Sequence, residues 1–320
     1  MENLMFSLNA TIPVFLIMVI GYILKNLKMV DAPFVDTLNK LNYRITLPVL
    51  LFRDIAASNF HDVWDTKYVL YCFLATLVSI LAIWGLTCLF CKDKRILGEF
   101  IQASYRSSAA VLGIAFIQNI YGDSGMAPLM IIGTVPLYNV AAVILLSFTD
   151  PTLTKEKGSK INKSLLKKTF LNVLTNPIII GILLGMIVSA SGITFVPIVN
   201  KTISSLAVLA TPLALLALGA GFEGKKALTK IQPTIICSLI KLAILPALFL
   251  PIAIYLGFTQ EKLVALLIML GSPTTVSCYI MAKNMHHEGT LTSSVVVTTT
   301  FLSSITLTFW LFLLKSMGLI

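Results

Sequence analysis

The chain has 320 residues, of which 57% are hydrophobic and only 12% are charged, and its mean hydropathy is +0.91. Soluble globular domains carry about 25% charged residues, so this composition excludes an ordinary soluble protein. The net charge of +10 comes from basic residues that stand in short clusters between apolar runs rather than along one stripe. This pattern argues against a nucleic-acid partner and indicates membrane topology.

Apolar runs long enough to cross a lipid bilayer follow one another along the whole chain. A helix needs roughly 20 mostly apolar residues to cross the hydrocarbon core. Runs of about this length, bounded by charged or turn residues, predict an all-α polytopic membrane protein with ten transmembrane helices. We number these runs as spans 1 to 10, and they cover 8–25, 34–53, 68–91, 101–121, 127–148, 170–190, 196–221, 231–256, 262–282 and 291–314.

Lys and Arg residues are distributed unequally between the two sets of alternate loops. Fifteen follow spans 1, 3, 5, 7 and 9, five lie on the other side, and four lie within spans. Because basic residues resist translocation, the side with fifteen is predicted to be cytoplasmic. Both termini are therefore expected outside the cytoplasmic membrane, and the Gly-, Ser- and Lys-containing stretch 150–168 is predicted to be a cytoplasmic linker.

The two halves of the chain on either side of this linker resemble each other. A shift of 164 positions without a gap aligns Pro13 with Pro177 and Pro48 with Pro212. Proline fixes backbone features, so these matches carry more weight than apolar ones. Each half holds five spans, an odd number, so 1–149 and 169–320 are predicted to be inverted repeats, the usual architecture of secondary transporters.

Two basic residues lie within the predicted spans at depths where a charge is costly. Lys241 is ten residues beyond Ile231, which places it roughly 15 Å deep, about half of the hydrocarbon core. An ammonium at that depth needs a partner, and two roles stay open: contact with an anionic substrate, or hydrogen bonds to helix-end carbonyls that stabilise the crossing. Arg106 is only about 10 Å from the cytoplasmic edge, where it either joins the site or extends to the interface.

Pro273 interrupts span 9 and frees the carbonyl of Met269 from its intrahelical hydrogen bond. In a bilayer a freed carbonyl must lie beside protein or a wet cavity. Hydroxyls next to this proline are able to bind an anion or, with freed carbonyls, a sodium ion. They belong to Ser272, Thr274, Thr275 and Ser277. We expect this stretch to line the substrate site together with Ser107, Ser108 and Gly113 of span 4.

Four segments resemble the auxin efflux carrier family, including its bacterial malate-permease-like members. They are 100–108 (FIQASYRSS), 135–140 (VPLYNV), 271–283 (GSPTTVSCYIMAK) and 295–308 (VVVTTTFLSSITLT), which are similar to the fourth, fifth, ninth and tenth helices of that family. The chain has Ser108 where the family often has Asn, and Ala115 where it often has Pro.

The resemblance implies a fold in which spans 4 and 9 are broken and cross each other. Spans 1, 2, 6 and 7 would form a scaffold, and spans 3–5 and 8–10 a mobile transport domain. Family members carry organic anions such as auxin, malate or malonate. The resemblance therefore implies a secondary-active transporter of a small carboxylate.

Alternative functions are a membrane channel, or a receptor or sensor that binds organic acids. An intramembrane enzyme is disfavoured because the chain has no GxSxG, P-loop or HExxH motif and no paired Asp within the spans. No cofactor or resident metal ion is predicted, and the coupling ion, H⁺ or Na⁺, stays open. The expected partners are the organic anion and the lipid bilayer, with a homodimer through the scaffold helices as a candidate assembly.

Overall fold

A computed structural model describes residues 2–57, 64–91, 93–110, 117–118, 120–122, 125–151, 171 and 174–320. Within these ranges the regular structure is helical and no strand occurs. In chain order the helices are α1 (Glu2–Asn26), α2 (Ala32–Leu41), α3 (Leu47–Ala56), α4 (Thr66–Phe90), α5 (Leu97–Tyr105), α6 (Ala127–Phe148), α7 (Pro177–Ser191), α8 (Pro197–Gly221), α9 (Gly224–Thr229), α10 (Ile231–Leu239), α11 (Leu245–Tyr255), α12 (Gln260–Gly271), α13 (Ser277–Asn284) and α14 (Thr290–Ser316).

Two pairs of these helices are each joined into one continuous helix by a short π-helical segment. Asn42–Thr46 joins α2 to α3, and Ile240–Ile244 joins α10 to α11. A π-helical insertion turns the following residues around the helix axis and is frequent at functional sites. Asn42 and Lys241, which lie in these two segments, are both buried.

Five helices in the described part of the chain are long and apolar enough to cross a membrane: α4, α6, α8, α14 and the continuous helix formed by α10 and α11. Shorter apolar stretches are Ile12–Asn26 in α1 and Pro177–Ser191, which is α7. Large apolar side chains such as Leu89 and Ile198 are highly exposed, which suits contact with lipid tails. The all-helical membrane protein predicted from the sequence is confirmed at this level, and the number of ten crossings stays a prediction.

Several helices begin at a side chain that caps free backbone amides. The Asp31 carboxylate accepts from the Phe34 amide (2.9 Å), and the Asp65 carboxylate accepts from the Tyr68 amide (3.0 Å). At the start of α7 the Asn176 side-chain oxygen accepts from the Ile178 amide (3.0 Å). Such caps satisfy amides that have no partner within the helix, and they fix where α2, α4 and α7 start.

Glycines allow the helices of spans 1, 2, 6 and 7 to pack closely on one another. A side chain at Gly21 or Gly219 would overlap backbone oxygens across the α1–α8 contact, and one at Gly181 or Gly185 would overlap those of α3 across the contact with α7. The absence of a Cβ permits this approach of backbones, which is the common device of membrane helix interfaces. The helices predicted to be the scaffold therefore form direct contacts with one another.

The helix is interrupted within spans 4 and 9. In span 4, α5 ends at Tyr105, residues 106–108 are extended or irregular, and helix resumes at Ala109. In span 9, α12 ends at Gly271 and α13 begins at Ser277. We refer to 106–108 as the first break and to 272–276 as the second break. Gly113, expected in the site from the sequence, lies outside the described residues.

Candidate functional site

The two breaks lie against each other in the interior of the protein. Several hydrogen bonds join them or the helix ends next to them. Three of these run from the Ser108 amide to the Pro273 carbonyl (2.9 Å), from the Thr274 hydroxyl to the Ala103 carbonyl (2.8 Å) and from the Ser107 hydroxyl to the Ile268 carbonyl (3.1 Å). The Pro273 and Ala103 carbonyls, which have no helical partner, are thus satisfied by the opposite break, as a low-dielectric interior requires. The Ile268 carbonyl also accepts from the Ser272 amide of its own helix end.

A cavity of about 80 Å³ lies where the breaks meet α6, α8 and the continuous α2–α3 helix. Its polar lining residues are Asn42, Asp54, Arg106, Ser107, Ser108, Tyr138, Asn139, Thr211, Thr275 and Ser277. This volume is large enough for several water-sized groups, since one water needs roughly 10–15 Å³ by the same kind of measure. The cavity is therefore of small-molecule size, and polar and apolar residues line it in nearly equal number.

Arg106 is the cation that lines this cavity. It stands directly after the end of α5, and only 2% of its surface is exposed. Its guanidinium donates to the Asn139 side-chain oxygen (2.7 Å) and to the Ser277 hydroxyl (2.8 Å), while the Nε atom has no partner. Arg106 therefore points into the protein, and the alternative that it extends to the membrane interface is wrong.

No carboxylate is paired with Arg106 among the described residues. The ion pairs found there involve Asp54, Asp65, Asp93 and Glu223, and each has another basic partner. Asp54, which also lines the cavity, pairs with the adjacent Arg53 at 2.7 Å. A buried charge held only by neutral groups is costly to keep away from water.

Lys241 lies elsewhere, on the other side of the second break, and does not line the cavity. Its ammonium donates to the carbonyl oxygens of Leu270 (2.7 Å) and Met269 (3.3 Å), and the residue is fully buried. This is the geometry of the second role left open by the sequence, in which the lysine binds helix-end carbonyls. The Met269 carbonyl that Pro273 leaves without an amide also accepts from the Tyr138 hydroxyl at 3.2 Å.

Of the predicted site residues, the structure brings Arg106, Ser107, Ser108, Thr275 and Ser277 together around the cavity. Ser272 does not line it and hydrogen-bonds to Ser107. Pro273 and Thr274 stand behind this surface, where they hydrogen-bond to the first break and to the end of α5. Binding of a substrate by these residues stays a prediction.

Sequence reasoning missed Asn42, Asp54, Tyr138, Asn139 and Thr211 as lining residues. Asn42 is one of the polar residues that make the first half of span 2 amphipathic, and its side chain donates to the Ala210 carbonyl at 2.8 Å. Tyr138 and Asn139 belong to the segment VPLYNV that carried part of the family resemblance. Polar residues in the middle of apolar spans were thus the available signal.

Comparison with known proteins agrees with this architecture. The family model described as membrane transport protein matches residues 6–311, nearly the whole chain. A search of curated proteins found no match. Because the match covers far more than half of the sequence and includes both breaks, the chain belongs to this family of membrane transporters, the auxin efflux carrier family.

Proposed function

We propose that this membrane transporter carries a small organic anion, a carboxylate, across the cytoplasmic membrane as a secondary-active carrier. The observation that carries the proposal is the buried Arg106 guanidinium, which lines the central cavity without a carboxylate partner among the described residues. An arginine presents a planar fork that matches a carboxylate with two parallel hydrogen bonds. A bound carboxylate would neutralise the guanidinium charge, which has no ion-pair partner among the residues that the structure describes.

Hydroxyl groups and a helix end give further support to an anionic ligand. Ser108, Thr275 and Ser277 line the same cavity and are able to donate hydrogen bonds. Ser277 is also the first residue of α13, so the amino-terminal end of that helix borders the cavity. The helix dipole favours negative charge at such an end.

Alternating access between two inverted repeats is the second part of the proposal. Equivalent helices begin at Ala32 and Pro197, at Thr66 and Ile231, and at Ala127 and Thr290, which are 165, 165 and 163 residues apart. These offsets agree with the 164-position shift found in the sequence. The cavity is bounded on one side by α2–α3 and α8 and on the other by α6 and the two breaks, that is, by the proposed scaffold and the proposed transport domain.

A binding screen followed by a flux assay tests the function. Purified protein is melted in the presence of mono- and dicarboxylates, including malate and malonate, because a ligand that binds the folded state raises the melting temperature by mass action. The stabilising acid is then followed into proteoliposomes. We expect saturable uptake that is accelerated when the same acid is loaded inside. Flux that rises linearly with concentration and shows no exchange would favour a channel, and stabilisation without flux would favour a receptor.

The proposed orientation has its own test. Gly158 lies outside the described residues, in the stretch that the excess of Lys and Arg predicts to be cytoplasmic. An impermeant thiol reagent should therefore label a Gly158→Cys protein only after the cells are opened. Labelling in intact cells would show that the orientation is the opposite of the proposed one, and it would leave the proposed function untouched.

A further inference from the structure

The two helix ends at the breaks are satisfied in different ways. At the first break the Ala103 carbonyl near the end of α5 accepts from a neutral hydroxyl, that of Thr274. At the second break the carbonyls at the end of α12 accept from an ammonium, that of Lys241. The 164-position shift pairs Lys241 with Leu77, so the first repeat has no basic residue at the equivalent position.

Local chemistry explains why two carbonyls at the end of α12 are available to a cation. The Met269 carbonyl has no amide partner because residue 273 is a proline. The partner expected for the Leu270 carbonyl is the amide of Thr274, but that amide donates to the Thr299 hydroxyl at 3.1 Å. The two oxygens therefore face outward from a helix carboxyl end, where the helix dipole adds negative potential.

Unwound carbonyls at the carboxyl end of a broken helix are the groups with which secondary transporters bind a coupling cation such as Na⁺. In this protein the position in front of these oxygens is filled by the Lys241 ammonium, 2.7 Å from the Leu270 oxygen. The residue is fully buried, and the ion pairs of the described residues do not include it. Its side-chain nitrogen is therefore held by backbone oxygens, as a bound metal cation would be.

We propose that Lys241 is a built-in cation that takes the place of a sodium ion at the second break and holds the break open. The inference rests on the proposed function and extends it. A positive charge fixed to the protein needs no ion from solution, so carboxylate transport is independent of Na⁺. Lys241 acts on the substrate only through the break, which makes it a positioning residue.

The first experiment uses the unmodified protein. Uptake of malate, and separately of malonate, is measured in proteoliposomes with external NaCl replaced by choline chloride at constant ionic strength and membrane potential. We expect equal initial rates in the two salts. A requirement for Na⁺ would overturn the inference without any variant having to fold.

The second experiment removes the ammonium and supplies it again from solution. Lys241→Ala deletes the atoms from Cγ to Nζ, and n-propylammonium reproduces those atoms. We expect Lys241→Ala to lose about tenfold or more in uptake, the loss of roughly one charge-assisted hydrogen bond. Addition of n-propylammonium should restore uptake and raise the melting temperature, whereas the neutral 1-propanol should do neither.

Lys262→Ala is the matched control, because that lysine is partly exposed and its ammonium pairs with Asp65 at 2.6 Å. It should respond to neither compound. A folded Lys241→Ala protein with unchanged uptake, or one that n-propylammonium fails to rescue, contradicts the inference. If the unmodified protein accumulates no carboxylate, the proposed function fails, while the effect of n-propylammonium on the melting of Lys241→Ala still decides the role of Lys241.

Discussion

Arg106→Met separates a binding role of Arg106 from a structural one, because the two roles change stability in opposite directions. Methionine keeps much of the volume and removes the charge. If the guanidinium binds the carboxylate, its loss removes charge-assisted hydrogen bonds of about 1.5–3 kcal/mol. At 1.4 kcal/mol for each factor of ten, the dissociation constant should rise about 10- to 150-fold.

The free protein should respond differently. The substitution leaves the Asn139 oxygen and the Ser277 hydroxyl without their donor, at about 1 kcal/mol each. It also removes a buried charge whose desolvation costs several kcal/mol and which has no carboxylate partner among the described residues. We therefore expect the melting temperature of ligand-free Arg106→Met to be equal to or higher than that of the unmodified protein.

Isothermal titration with the stabilising carboxylate and thermal unfolding with and without it measure both effects. Lys201→Met is the control, since it makes the same change of charge at an exposed position of α8 and should leave both quantities unchanged. Arg106→Lys keeps the charge and loses the planar fork, so its affinity for the carboxylate should lie between those of the unmodified protein and Arg106→Met. An unchanged dissociation constant in Arg106→Met would refute the reasoning, and so would strong destabilisation of the free protein.

Three further predictions concern the break, the helix packing and pH. Pro273→Ala restores an amide and allows α12 to continue, so transport into liposomes should be lost. Membrane expression and the melting temperature should stay near normal. Full transport by this variant would exclude the break as a part of the site. Gly219→Ala places a Cβ against the backbone of α1 and should lower the free energy of unfolding by about 1–3 kcal/mol. Gly85 faces open space, so Gly85→Ala should not destabilise the protein. Equal melting temperatures of the two variants would contradict the packing argument. The hydrogen bond from Lys262 holds the pKa of the Asp65 carboxyl below its ordinary value. This pair therefore adds stability above about pH 4 that is lost as the pH falls through the lowered pKa, by less than ~1 kcal/mol at this partly exposed site. Asp65→Asn should flatten the acid limb of a melting-temperature profile, and an unchanged limb would mean that the pair contributes nothing.

The sequence determined those features that depend only on residues close to one another along the chain. The length of the apolar runs compared with the bilayer thickness predicts membrane helices, and five of them are long and apolar enough in the described structure. Pro273 lacks an amide, which predicts an interruption near it, and α12 ends two residues before it. Segments around both breaks carried a family resemblance that the comparison with family models confirms.

Only the tertiary structure decided what each charged group contacts. Arg106 and Lys241 are both basic residues within apolar spans, and depth alone ranked Lys241 first. In the fold, Arg106 reaches Asn139 and Ser277 and lines the cavity, while Lys241 reaches the carbonyls at the end of α12. The break after Tyr105 sets the direction of the Arg106 side chain, and the π-helical segment around residue 241 sets that of Lys241. Neither change of direction can be predicted from the spacing of residues along a regular helix.

Glu99 gives the same lesson for an acidic residue. It stands near the start of span 4, where sequence position suggests an ordinary loop-proximal carboxylate. In the structure it is 1% exposed and accepts from the amides of Gly289 (2.9 Å) and Thr292 (3.0 Å) at the start of α14. These partners are about 190 residues away along the chain. A free helix end in a low-dielectric interior must be satisfied by whatever polar group the fold brings to it, and only the fold determines which group that is.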